Sequence, residues 1–276
     1  MKITHQLSND SQYRRDLRVL LIGSGGNGSA ILFGLPYLHH ALIAWGKAGG
    51  IDVTVMDADT VSPTNCVRQP FGIADVGQNK ATILVNRVNL FHGLSWRSVE
   101  VSFSKDLSNN FSSYDNTIDV VISCVDTRAA RSEMHEAFNT KSGPWRHVRY
   151  WLDIGNNASD GQFVLGQPLN DLNRQSRARL RTVTELFPSI MDTSQGEGPL
   201  PSCSAAEALE RQEPFINNVL AASALAMLTR LLRYGTLDHH GAFYNAATSR
   251  AVPLPIDPDI WEKQQAHRRR RLAKAA

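Results

Sequence analysis

Residues 18–57 run RVLLIGSGGNGSAILFGLPYLHHALIAWGKAGGIDVTVMD, and their reading decides the fold. RVLLIG is a short apolar run ending at Gly23, the pattern of a strand buried on both sheet faces. GSGGNGS follows. An apolar, mostly helical stretch covers about 29–47, Gly49 and Gly50 break it, and IDVTVMD forms a second apolar strand ending at Asp57. Strand, glycine turn, helix, strand and acid in that order require a right-handed crossover and a parallel sheet. Gly23, Gly25, Gly26 and Gly28 stand where backbone N–H groups and a helix dipole favour phosphate oxygens. Asp57 stands where a carboxylate can accept hydrogen bonds from ribose hydroxyls.

The alternation continues outward. Residues 80–91 read as a helix, RSVEVSF (97–103) as a strand, DVVISCVD (119–126) as a buried strand ending in an acid, and 127–140 as a helix. YWLDIGN and GQFVLG read as further strands. From about 167 to 201 the pattern dissolves into a long loop bearing arginines at 174, 177, 179 and 181, and a loop of that length tends to be functional. Ser204 and Glu207 form a capping box that opens a helix. Pro214 starts another, FINNVLAASALAMLTRLLRYG, which Gly235 stops. AFYNAATSRAVPLP resembles a terminal hairpin. The expected architecture is α/β, a Rossmann-like, mostly parallel sheet with flanking helices, forming one domain over residues 1–262. Residues 263–276 read as a basic, disordered tail.

Composition narrows the function classes. Of the basic residues behind the formal net charge of +3, five (Arg268, Arg269, Arg270, Arg271 and Lys274) lie in the last nine positions, and the remainder has 24 basic against 26 acidic side chains. The body is close to neutral, which argues against a nucleic-acid partner. No run approaches a membrane span and the first residues lack a secretory core, so a cytoplasmic location is expected. Cys66, Cys124 and Cys203 are too few and too scattered for a disulfide framework or a four-cysteine zinc site.

Downstream of Asp57 the chain reads DADTVSPTNCVRQPFGIADVGQNKA. A glycine turn with an acid serves NAD(P) as readily as ATP, but a hydride-transfer enzyme has no use for Asn65, Arg68, Gln69 and Lys80 in this segment. Triphosphate chemistry does. Attack on an α-phosphorus builds charge on the departing pyrophosphate, and fixed cations such as Arg68 and Lys80 stabilise it.

GSGGNGS, DADTVSPTNCVRQ, GQNKA and CVDTRAAR, in that order, resemble the signature blocks of the ThiF/MoeB/HesA and ubiquitin-activating (E1-like) adenylation domains. WLDIGN, GQFVLG and PSCSAAEALERQ are similar to the ThiF-type proteins of the bacterial PRTRC cluster. The resemblance implies ATP-dependent adenylation of the C-terminal carboxylate of a ubiquitin-like or sulfur-carrier protein, by a homodimer, with Mg2+ and an E2-like acceptor as further participants. It implies that Gly23, Gly25, Gly26 and Gly28 form the phosphate loop and that Asp57 holds the ribose. Asn65 and Arg68 would contact phosphate with Gln69 as their neighbour, Lys80 would face the triphosphate, and Asp126 would serve magnesium and catalysis. Some relatives stop at the acyl-adenylate and others pass the acyl group to a cysteine. Cys203, before the helix capped by Ser204, is the candidate nucleophile, since a helix dipole lowers a thiol pKa. Cys124 reads as inert core and Cys66 as a filler.

The chain also departs from the family. Gly23 and Asp57 stand 34 positions apart, which implies an extended first helix, with His39 and His40 as surface residues. The paired C-x-x-C zinc motif of many relatives is missing. Arg14 and Arg15 are the only upstream arginines that could reach a partner subunit's ATP site. Arg131 reads as an ordinary surface helix charge. A non-catalytic nucleotide-binding scaffold is the principal rival reading, followed by an NAD(P)-dependent oxidoreductase.

Overall fold

A computed structural model describes residues 3–7, 16–107, 118–141, 143, 145–173, 179–195 and 213–263. Strand β1 (Leu17–Ile22) leads through the glycine turn into α1 (Gly26–Ala44), then β2 (Ile51–Met56). After two short 3-10 turns come α2 (Lys80–His92) and β3 (Arg97–Val99), followed by β4 (Val120–Ser123) and α3 (Arg128–Phe138). β5 (Tyr150–Asn156), β6 (Asp160–Gly166), α4 (Ile216–Tyr234), β7 (His239–Asn245) and β8 (Arg250–Pro255) follow. These strands form one eight-stranded sheet, ordered β8-β7-β6-β5-β4-β1-β2-β3, and two short strands, His5–Gln6 and Thr236–Leu237, pair separately. From β5 to β3 all neighbours are parallel, and β6, β7 and β8 extend the sheet in antiparallel pairs.

The strand periodicity sorts the core. In β1, Leu17, Val19 and Leu21 face one side, with Ile31, Leu35 and Leu42 of α1, Leu84 and Val88 of α2, and Leu220, Leu228 and Leu231 of α4. Leu20 and Ile22 face the other, with Val121, Trp151, and Met134 and Phe138 of α3. There Trp151 and Phe138 meet edge-on at 5.2 Å, the geometry ring quadrupoles favour. Strands covered on both faces need apolar side chains at nearly every position, which is why the sequence carries continuous runs here.

Helix ends follow local chemistry. The Asn79 side chain accepts from the Thr82 N–H to open α2, the Thr127 side chain accepts from the Ala130 N–H to open α3, and Gly235 (φ 71°) closes α4 in the left-handed region. Two expectations change. The strand expected over 97–103 stops at Val99, because only Arg97–Val99 pair with β2. Part of the expected long loop is also ordered: Thr182 caps a helical turn, Val183–Leu186, with Glu185 reaching back to the Thr182 N–H at 2.9 Å. Among the described residues no helix is long and apolar enough to cross a membrane.

Candidate functional site

β1 lies between β2 and β4, although β4 follows β2 and β3 in the chain, so the crevice beyond the carboxyl ends of β1 and β4 is a topological switch point. Gly23 leaves β1 there, its N–H donating to the Met56 carbonyl at 2.9 Å. A Cβ on Gly23 would stand 2.8 Å from the Cys124 carbonyl oxygen, and one on Gly28 would strike the Gly23 carbonyl, so the turn packs against the end of β4 and folds onto itself. Gly25, the residue before α1, differs. Among the described residues nothing lies within 4 Å of where its Cβ would be, and it gives α1 no side-chain cap. The α1 N-terminus thus presents backbone donors to open space, a built place for a phosphate.

Asp57 leaves β2 beside this turn. Its Oδ2 accepts from the Ser24 N–H at 2.6 Å and from the Ser24 hydroxyl at 2.7 Å, and its Oδ1 accepts from the Asp59 N–H at 2.9 Å. Asn79 donates to the Asp57 and Asp59 carbonyls and so braces the segment that carries both acids. Lys80, with its side chain only 10% exposed, places Nζ 2.9 Å from Oδ2 of the solvent-facing Asp59. Ser24, Asp57, Asp59 and Lys80 therefore form one connected set. Ser24 and Asn79 are supports that the sequence reading did not pick out, although both sit inside the quoted motifs.

Asn65 serves the local backbone. Its Oδ1 accepts from the Ser62 N–H at 2.9 Å, closing the turn Pro63–Val67. Arg68 is half-buried, burial lowers its pKa, and its Nε has no partner among the described residues. The buried Oε1 of Gln69 is likewise unpartnered. Buried polar atoms left unmade cost about 1–3 kcal/mol each, so the site has polar capacity in hand. Together with the open turn, the unpartnered Arg68 Nε–H suits a polyphosphate.

Asp126 is exposed on the loop between β4 and α3. Behind it lies a network that corrects the reading of Arg131. Arg131 is 8% exposed; its Nε donates to Asp153 at 3.2 and 3.3 Å, and its Nη2 donates to the Val125 carbonyl at 2.6 Å. Asp153 also accepts from the Ser123 hydroxyl at 2.7 Å, and Ser123 in turn accepts from Trp151 Nε1 at 2.7 Å. A surface charge was expected because Arg131 sits on a mainly polar helix, but the counter-ion is 22 positions downstream on β5. His39 is corrected too. Its Nδ1 meets the Ile51 N–H at 3.0 Å and the Ile51 carbonyl at 3.1 Å, tying α1 to β2, whereas His40 is exposed as expected.

Burial drives the Cys124 thiol pKa upward, Asp153 adds to that and Arg131 opposes it, leaving an unreactive sulfur. Cys66 is half-buried and packs against the core. Cys203, Arg14, Arg15, the helix opened by Ser204, the arginines at 174 and 177 and the tail lie outside the described residues. Arg179 and Arg181 turn inward, both pairing with Glu185, at 2.6 and 3.0 Å. Among the described residues no three His, Cys, Asp or Glu side chains gather in a way that could hold a metal ion.

A family model described as the ThiF family matches residues 4–251. The fold is similar to that of selenomethionine PaaA, with a TM-score of 0.56 and 13% identity over 89% of this chain. It is also similar to E. coli MccB with ATP, at a TM-score of 0.54 and 15% identity over 89% of this chain, and to E. coli MccB with AMPCPP and MccA, at 0.55 and 14% over 90%. The chain spans 65%, 65% and 66% of the length of those three structures. No curated protein matches it.

Proposed function

This chain belongs to the ThiF family, and from that membership and the geometry at Gly25 we propose that it is an ATP-dependent adenylyltransferase acting on the C-terminal carboxylate of a peptide or small carrier protein. The observation that carries the reading is the uncapped α1 N-terminus opening at Gly25 beside Asp57 and the Lys80–Asp59 pair. The glycine turn donates backbone N–H groups to phosphate, Asp57 accepts from the ribose, and Lys80 exchanges Asp59 for the negative charge of the triphosphate. Arg68 and Lys80 stabilise the departing pyrophosphate more than the bound ground state. Asn65 and Gln69 hold the turn that carries Arg68.

Mg2+ would supply charge neutralisation at the phosphates, and such an ion commonly uses only one or two protein carboxylates. Asp126 is the carboxylate we assign to it. The same reading takes residues 1–262 as one adenylation domain working as a homodimer in the cytoplasm, the carrier as ubiquitin-like or sulfur-carrying, and Cys203 as the thiol that accepts the acyl group for an E2-like acceptor.

ATP–pyrophosphate exchange with a candidate carrier protein tests this. Exchange that requires the carrier and Asp126, and persists in Cys203→Ala, is expected. ATP binding without exchange, whichever carrier is supplied, would leave a nucleotide-binding scaffold.

A further inference from the structure

α1 and α4 run side by side in the same direction. A Cβ added at Gly26 would collide with the Asn217 amide, and one added at Gly34 with the Leu225 side chain, so contact advances along both helices together and their N-termini finish at one place. Parallel neighbours set two positive dipole ends together, each equivalent to about half an elementary charge. Each end also has about four backbone N–H groups without an intrahelical partner. An acid in the first turn or a capping side chain normally answers such an end. Here neither helix has an acid in its first turn, and neither Gly25 nor Phe215 gives a side-chain cap.

Asn217 sits at the meeting point. It is 2% exposed, and neither its Nδ2 nor its Oδ1 has a hydrogen-bond partner among the described residues. Asn27, on the first turn of α1, donates from Nδ2 to Asn156 Oδ1 at 2.8 Å and leaves its own buried Oδ1 unpartnered. The space at Gly25, one residue before α1, is open among the described residues and provides the way in.

The geometry points to an oxyanion seat built from both helix ends, with the Asn217 amide as its side-chain donor, so that α4 contributes to anion binding along with the glycine turn. The inference rests on the proposed function only for the source of the oxyanion, which is either a nucleotide phosphate or the carboxylate of a peptide tail.

Asn217→Asp tests it, because it keeps the size of the side chain and places a carboxylate between the helix ends. The ligand-free variant is expected to melt above wild type, while its affinity for inorganic pyrophosphate or for N-acetylglycine, measured by calorimetry, falls by about tenfold or more. Loss confined to pyrophosphate assigns the seat to phosphate; loss confined to N-acetylglycine assigns it to the carboxylate. Asn217→Ala, which removes the donor without adding charge, is expected to weaken the same probe without the gain in melting temperature.

An asparagine with a purely structural role gives the opposite result. Asn217→Asp would then bury an unanswered charge and melt lower or fail to fold, and either outcome overturns the inference. So does a wild type that binds neither probe, or an Asn217→Ala variant that binds both unchanged. Neither probe requires turnover. Absent ATP–pyrophosphate exchange in a wild type that binds pyrophosphate would therefore remove the adenylation reading and leave the seat standing.

Discussion

Arg131 and Asp153 form a buried ion pair, Nε to Oδ1 at 3.2 Å, and the same guanidinium holds the Val125 carbonyl at 2.6 Å. The pair therefore fixes the peptide that leads into Asp126. Arg131→Met strands a carboxylate that has no exposure, and a loss of about 3–5 kcal/mol is expected by urea denaturation. Adding Asp153→Asn to that variant removes the orphaned charge, and part of the loss should return.

Gly25→Ala and Gly28→Ala are expected to fail in different ways. The Gly25 methyl meets none of the described residues, so the variant should melt close to wild type but lose about tenfold or more in ATP affinity as the methyl fills the phosphate approach. The Gly28 methyl meets the Gly23 carbonyl, so that variant is expected to lose about 1–3 kcal/mol of stability. Differential scanning fluorimetry with and without ATP separates the two.

Asp126→Ala removes an exposed side chain, so its melting temperature should match wild type within a few degrees while carrier-dependent pyrophosphate exchange falls by about a hundredfold. Lys80→Met should lose exchange to a similar degree and, unlike Asp126→Ala, should also weaken ATP binding in the absence of carrier.

The parallel half of the sheet was legible because strands covered on both faces must be apolar throughout, and because glycine and acid residues mark where RVLLIG and IDVTVMD stop. That Gly23 and Asp57 come off the ends of neighbouring strands was legible for the same reason. Arg131, His39 and Asn217 were not. Each is defined by a partner far away in sequence: Asp153 on β5, the backbone of Ile51, and Gly26 at the other end of the chain. Periodicity assigns a residue to a face of its own element and carries no information about what that face meets. The turn at Thr182 was a different kind of miss, because Thr182 and Glu185 stand at capping-box spacing within the arginine-rich segment and the signal was there to read.

Glu185 predicts a specific acid sensitivity. Burial pushes its carboxyl pKa up, but hydrogen bonds and charge from Arg179, with the Thr182 N–H and Arg181, outweigh this and bring it from 4.5 to about 2. The unfolded chain takes up the proton first as pH falls, so this contribution is complete above about 4.5 and is lost towards 2, amounting to roughly 3 kcal/mol. Glu185→Gln should flatten stability across that window, as followed by urea midpoints at successive pH values.

The meeting of Gly26 with Asn217 also bears on the order of events during synthesis. The glycine turn is made before the helix that flanks it, which lies far downstream in the chain. A nascent chain that stops short of this helix has the phosphate loop without its neighbour, and contacts this distant in sequence form late. The two-helix anion seat is thus complete only once the chain has been made through Ile216–Tyr234.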